Sequence, residues 1–228
     1  MDLVLDDIAC RRAGRTVFAG LSQRLAAGRA LVVTGPNGTG KSTLLRLLAG
    51  FLPLTGGAVR LGEVSLGADR GAFQERVAYA GHLDAVKPAL AVGENLALWA
   101  GLEGRPDAVG PALERFGLSR IAERPAAECS AGQKRRLGLA RLLVLDRPLW
   151  LLDEPTVSLD AASAALVAEL VEAHCAAGGL AVVATHVDLG LAAPERLEMR
   201  PARAAAGVAA FAGAAGDPFL DGAWEGRG

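Results

Sequence analysis

The chain has 228 residues, a formal net charge of −1, 51% hydrophobic residues and only 4% aromatic ones. This excludes a globally disordered chain and argues against a protein that holds nucleic acid through a broad basic face. The length suits one large domain or at most two small ones, and 46 alanines with 29 glycines mean that small side chains fill much of the interior.

The start, Met1-Asp2-Leu3-Val4-Leu5-Asp6-Asp7, is acidic and has no basic leader region, so no signal peptide is expected. Val32-Val33-Thr34 is a β-branched run that stops at Gly35-Pro36, and Lys41 to Leu48 reads as a helix with a broad leucine face. The middle of the chain reads as helical, with candidates at Val92 to Trp99, Asp107 to Phe116 and Gly132 to Leu145. Leu149 to Leu152 is a continuous apolar run of the kind buried on both faces of a sheet. Ala161 to Cys175 is a helix pattern with Asp160 as N-cap and Gly178-Gly179 after its end. Leu180 to Ala184 is a second buried strand, closed by Thr185-His186. Strands alternating with helices predict an α/β protein with a mainly parallel sheet, and the helical middle, about residues 83–145, would be a subdomain inserted into it. From about Pro201 the chain turns Ala/Gly-rich and then polar, and weak order is expected there.

Arg141, Asp146, Arg147 and Asp153 interrupt the most apolar stretch, and the uncharged run Ala204 to Gly216 falls short of the roughly 20 residues of a spanning helix. Cys10, Cys129 and Cys175 lack metal-ligand spacing, so they read as free thiols of a soluble cytoplasmic chain.

Gly35-Pro36-Asn37-Gly38-Thr39-Gly40-Lys41-Ser42 matches the phosphate-loop pattern G-x-x-x-x-G-K-[ST] in full, after a strand and before a helix. The glycines let successive backbone N–H groups converge on one phosphate, and the helix adds its positive end. The set expected to hold ATP is therefore Gly35, Pro36, Asn37, Gly38, Thr39, Gly40, Lys41, Ser42 and Thr43. Lys41 would place a point charge between the β- and γ-phosphates, and the Ser42 hydroxyl would ligate Mg²⁺. Leu149-Trp150-Leu151-Leu152-Asp153-Glu154 is a buried strand ending in two acids. Asp153 would hold Mg²⁺, and Glu154, one residue on at the strand tip, would polarise the attacking water.

Three further segments narrow the class. Cys129-Ser130-Ala131-Gly132-Gln133 stands before a helix about 20 residues ahead of Asp153, Ser158-Leu159-Asp160 follows Glu154, and His186 follows the Leu180–Ala184 strand. Together with the two phosphate motifs these resemble the signature, D-loop and switch histidine of ATP-binding cassette (ABC) ATPase subunits, over about residues 28 to 190. The resemblance implies a P-loop NTPase fold whose mainly parallel sheet carries an antiparallel edge, one ATPase domain over residues 1–200 and a head-to-tail homodimer with ATP at the interface. Ser130, Ala131, Gly132 and Gln133 of one subunit would then approach the γ-phosphate held by Lys41 of the other. It also implies that His186 hydrogen-bonds that phosphate.

The departures from the family pattern are informative. His82, in Tyr79-Ala80-Gly81-His82-Leu83, stands where ABC proteins carry a glutamine that reaches Mg²⁺ and the attacking water, and Val92-Gly93-Glu94-Asn95-Leu96 follows at the usual interval. A histidine offers a donor and an acceptor there, although simple packing is the alternative. No aromatic stands near Arg12, where the family stacks on adenine; Phe18 and Arg12 itself are the nearest substitutes. The GPNG loop, Gly-His at the glutamine position, Ser-Ala-Gly-Gln, and Cys10-Arg11-Arg12-Ala13-Gly14-Arg15-Thr16-Val17-Phe18 together resemble the ATPase subunits of bacterial cytochrome c maturation. This implies a peripheral protein on the cytoplasmic face of the inner membrane, partnered by integral membrane subunits. Its work would be haem export, or release of a haem-loaded chaperone, without direct haem binding. Two alternatives are an ATPase for another small exporter, and a soluble ABC ATPase acting on nucleic acid or ribosomes. The neutral charge and the lack of a coiled coil or tandem halves speak against the second. Val92 to Trp99 and the His82 region would meet the membrane partner, with Trp99 either in that patch or in the core. His174, within a helix, reads as structural or solvent-facing.

Overall fold

The computed structural model describes residues 1–200; the tail expected to be weakly ordered lies outside the described residues. In chain order the elements begin with β1 (Leu3–Arg12), β2 (Arg15–Leu25), β3 (Ala30–Thr34), α1 (Lys41–Leu48), β4 (Gly56–Leu61) and β5 (Val64–Ser65). They continue with α2 (Arg70–Gln74), β6 (Val77–Ala80), α3 (Val92–Leu102), α4 (Val109–Arg115) and α5 (Ala131–Leu145). The last four are β7 (Leu149–Asp153), α6 (Ala161–Ala176), β8 (Leu180–Ala184) and β9 (Glu195–Glu198).

Two sheets organise them. One is parallel throughout, in the order β6-β7-β8-β3-β9, and the other is antiparallel, in the order β2-β1-β4-β5. The antiparallel strands therefore form a separate sheet. In the parallel sheet β7 and β8 are buried at every position, as their unbroken apolar runs require. Their side chains alternate between two cores. Leu149, Leu151, Leu180 and Val182 pack with α1 and the antiparallel sheet, whereas Trp150, Leu152, Ala181 and Val183 pack with α3, α4, α5 and α6. Leu149, Leu151 and Leu152 are fully buried, each contributing roughly 2 kcal/mol of transfer free energy.

Most predicted elements appear within a residue or two. The helix expected over Asp107 to Phe116 is instead a tight turn at Pro106–Ala108 followed by α4. Pro106 opens the turn and Pro111 sits in the first turn of α4, where a missing N–H costs nothing. No helix among the described residues is long and apolar enough to cross a membrane. The three cysteines are buried free thiols, and burial pushes the Cys10 and Cys175 thiols up, which keeps them protonated and unreactive.

Candidate functional site

The parallel strands β3, β7 and β8 end at one edge, and the loops that follow them carry the chemistry, as expected of an open α/β sheet. The loop after β3 turns sharply into α1. A Cβ on Gly35 would lie 2.3 Å from the Met199 carbonyl oxygen, and one on Gly40 would lie 2.6 Å from Val17 Cγ1. Gly40 also sits at φ 99° as the N-cap of α1 and offers no side-chain cap, so the N–H groups of the first turn point into the loop without a side-chain partner.

Lys41 is 7% exposed and reaches back across its own loop. Its Nζ donates to the Gly35 carbonyl at 2.7 Å and to the Pro36 carbonyl at 3.2 Å. Thr39 braces the same loop by donating to the Pro36 carbonyl at 2.9 Å. The Ser42 hydroxyl donates to Asp153 Oδ1 at 2.9 Å, and Tyr79 OH donates to Asp153 Oδ2 at 3.4 Å. Asp153 ends β7 and is 2% exposed, so both its oxygens are committed within the chain. Burial, first of all, pushes the Tyr79 phenol up and keeps it a donor.

Glu154 adopts φ 48°, a left-handed conformation uncommon for a non-glycine residue, and its N–H donates to the Ala184 carbonyl at 2.8 Å. Its Oε2 lies 2.9 Å from Nδ1 of His186, an exposed residue just beyond β8. Thus Lys41, Ser42, Asp153, Glu154 and His186 come together within one chain. His82 lies beyond the end of β6, the strand beside β7, and its side chain is exposed.

The signature segment stands apart. Ser130 is the N-cap of α5; its Oγ accepts from Gln133 N–H at 3.2 Å, while Gln133 Oε1 accepts from Ser130 N–H at 2.8 Å. Ser130 and Ala131 are exposed, and a Cβ on Gly132 would lie 3.0 Å from the Ser158 carbonyl oxygen. Among the described residues no hydrogen bond joins 130–133 to the loop at 35–43.

Other sequence candidates fall elsewhere. Phe18 is 5% exposed and belongs to the core around α1, so it offers no free stacking face; Arg12, at the end of β1, is half-buried. Trp99 is half-buried with the Arg141 guanidinium 4.9 Å over its ring, whereas Leu98 and Leu102 of α3 and Leu83 are exposed. The apolar surface there is thus made by leucines rather than by Trp99. His174 stacks flat on Trp150, with ring centroids 4.0 Å apart and an interplanar angle of 7°. Burial pulls the Arg141 guanidinium down, and its Nη2 donates to the Tyr79 carbonyl at 2.8 Å. Sequence reasoning missed Tyr79 and two buried arginines, Arg135 and Arg141; the one available signal was cationic side chains in a helix otherwise rich in leucine.

A family model described as ABC transporter matches residues 18–157. The chain is 53% identical over 204 residues to the cytochrome c biogenesis ATP-binding export protein CcmA of Cereibacter sphaeroides, covering 90% of this chain and 91% of that one. It is 50% identical over 222 residues to the protein of the same name from Rhodobacter capsulatus, covering 97% and 98%. Among solved structures, an ATP-binding subunit of an ABC transporter matches with a TM-score of 0.75 at 24% identity, over 82% of this chain and 80% of that one. A dimeric ATP-binding cassette in a post-hydrolysis state bound to ADP and Pi matches with a TM-score of 0.73 at 22% identity, over 83% and 90%.

Proposed function

The chain belongs to the ABC transporter family, in its group of cytochrome c biogenesis ATP-binding export proteins, and from that premise we propose that it is the ATP-hydrolysing subunit of a membrane complex for cytochrome c biogenesis. The observation that carries the reading is the gathering of Lys41, the Ser42–Asp153 pair and the Glu154–His186 pair at one edge of the parallel sheet. Phosphoryl transfer to water needs little covalent help from a protein; it needs positioning and charge stabilisation.

Each group has a task there. The glycine loop and the open start of α1 receive the phosphates, and Lys41 exchanges its two loop carbonyls for phosphate oxygens. Glu154 orients the attacking water and accepts its proton, and His186 holds the Glu154 carboxylate until the γ-phosphate competes for the imidazole. Ser42 and Asp153 offer a hydroxyl and a carboxylate oxygen 2.9 Å apart, the hard donor set that suits Mg²⁺. When bound, Mg²⁺ neutralises charge that develops between the β- and γ-phosphates.

Ser130 and Ala131 are exposed, and no hydrogen bond among the described residues joins 130–133 to the chain's own phosphate loop, which supports a head-to-tail dimer in which this segment completes the partner's site. His82, Leu83, Leu98 and Leu102 supply the surface for integral membrane subunits on the cytoplasmic side of the inner membrane. Leu83 is 83% exposed, and Leu98 and Leu102 lie one turn apart on α3.

One experiment tests the reading. In a strain whose chromosomal copy carries Glu154→Gln, haem staining shows no c-type cytochromes while b-type cytochromes persist. The purified variant binds ATP, fails to turn it over and elutes as a dimer. Normal c-type staining in that strain overturns the proposal.

A further inference from the structure

Arg135, in the second turn of α5, is 5% exposed, and its guanidinium makes five hydrogen bonds. Nε donates to the Pro155 carbonyl at 3.1 Å. Nη2 donates to the Asp153 carbonyl at 3.1 Å and to the Glu154 carbonyl at 2.8 Å. Nη1 donates to the Gly81 carbonyl at 2.6 Å and to Asp84 Oδ1 at 2.9 Å. An arginine has five N–H donors, so the fork is fully used.

The targets have a pattern. Three are consecutive carbonyls at the tip of β7, and two flank His82. In a regular strand consecutive carbonyls point to opposite sides, so Asp153 and Glu154 can converge on one nitrogen only because Glu154 turns to φ 48°. The Glu154 peptide is then held on one side by Ala184 and on the other by Arg135, which fixes the Cα–Cβ direction of a side chain whose Oε2 meets His186 Nδ1 at 2.9 Å. A strained backbone persists where its surroundings over-determine it, and here they are the Ala184 carbonyl, the Val157 N–H, which donates to the Glu154 carbonyl at 3.3 Å, and the Arg135 guanidinium.

We infer that Arg135 is a positioning residue for hydrolysis. It holds the left-handed Glu154 backbone in place, and it ties the His82 loop and the strand tip to the helix that begins at Ser130. The loop that would feel a membrane partner, the carboxylate that would activate water and the segment that would complete a second subunit's site are thereby joined through one planar cation. Lysine cannot replace it, because an ammonium has three donors and no fork.

This inference rests on Glu154 acting on the water, so the two are tested side by side in the full chain, assembled with its membrane subunits, by steady-state ATP hydrolysis. Arg135→Lys and Arg135→Gln lower kcat by about tenfold or more while KM for ATP stays within about twofold, because the phosphate loop is untouched. In a Glu154→Gln background the same substitutions lower the residual rate no further, since Arg135 acts through Glu154. Should these variants fail to fold, Asp84→Ala decides: it frees one donor and one side of the His82 loop at a part-exposed position, and kcat falls severalfold at constant KM. Wild-type kcat in all foldable variants, or KM rising in step with the fall in kcat, overturns the inference. Wild-type turnover by Glu154→Gln alone would instead overturn the catalytic assignment on which it stands.

Discussion

Two helices begin at loops that the sequence marks for phosphate, α1 at Gly40 and α5 at Ser130, and they begin in opposite ways. Gly40 brings no side chain and a left-handed φ, so the first turn of α1 keeps its N–H groups for whatever enters the loop, with the buried Lys41 beside them. Ser130 closes a reciprocal box with Gln133, so two donors of α5 already have partners. What remains outward at α5 is small side chains and the hydrogen of the Ser130 hydroxyl, which can donate while its oxygen accepts from Gln133. Neither helix has an acidic residue in its first turn, so neither end repels an anion. The contrast teaches that the same local signal, small residues before a helix, builds two tools. One end can capture a phosphate alone. The other, on the proposed reading, completes a phosphate site held elsewhere, as a head-to-tail partner requires.

The sharpest way to break this contrast is to close the open end. Gly40→Ala sets a methyl 2.6 Å from Val17 Cγ1 at a φ of 99°. Strain of that kind costs on the order of 2–3 kcal/mol of stability, and displacing the loop lowers ATP affinity by more than about 100-fold in calorimetric titration. Unchanged affinity would show that the α1 terminus is not the phosphate cradle. Opening the closed end has a smaller effect of another kind. Ser130→Ala removes the cap, costing about 1 kcal/mol, while ATP affinity in single-site titration stays unchanged and kcat falls roughly tenfold or more through the lost hydroxyl donor. If affinity fell together with kcat, the two ends would share one task and the contrast would fail.

The same contrast explains what was readable in advance. The α1 site is contiguous in sequence: strand, glycine loop, Lys41 and Ser42 lie within a dozen residues, and α1 spans Lys41–Leu48 as the leucine pattern predicts. Asp160 caps α6 for the same local reason, accepting from the Ser163 N–H at 2.7 Å. The antiparallel sheet was legible only through the family resemblance, and there as an edge of the parallel sheet. The β1–β2 register shifts three times and Asp7 takes φ 49°, so the alternation that would mark β1 is broken, while its other partner lies far along the chain, Leu3 opposite Leu61. Arg135 stands in the run Lys134-Arg135-Arg136, which reads as a solvated face. Successive helix residues point about 100° apart, so one of the three can face the core, and tertiary packing alone selects which.

The smallest effect probes what lies beneath the two helices. α1 rests on one core, whereas α5 rests on the other, together with Trp150 of β7 and the buried face of α6. That second layer carries a titratable group. His174 is stacked on Trp150 with Nε2 3.2 Å from the Pro148 carbonyl, and burial pulls its imidazole below the ordinary value of 6.5, against the opposing pull of the Pro148 and Leu180 backbone. The unfolded chain therefore takes up this proton before the folded chain does. Stability is complete above pH 6.5 and declines as pH falls from there toward the lowered folded value, because protonation favours the unfolded form throughout that window. Relaxation in the second layer should reach α5 and α6 before α1. Between about pH 7.5 and pH 5.5, amide protection factors should drop in α5 and α6 while those in α1 change less. His174→Phe keeps an aromatic face for Trp150 and removes the titration, so it should flatten the response. Equal loss of protection in α1, or an unaltered pH response in His174→Phe, would mean that the two helix ends share one mechanical support. Their division of labour would then rest on capping alone.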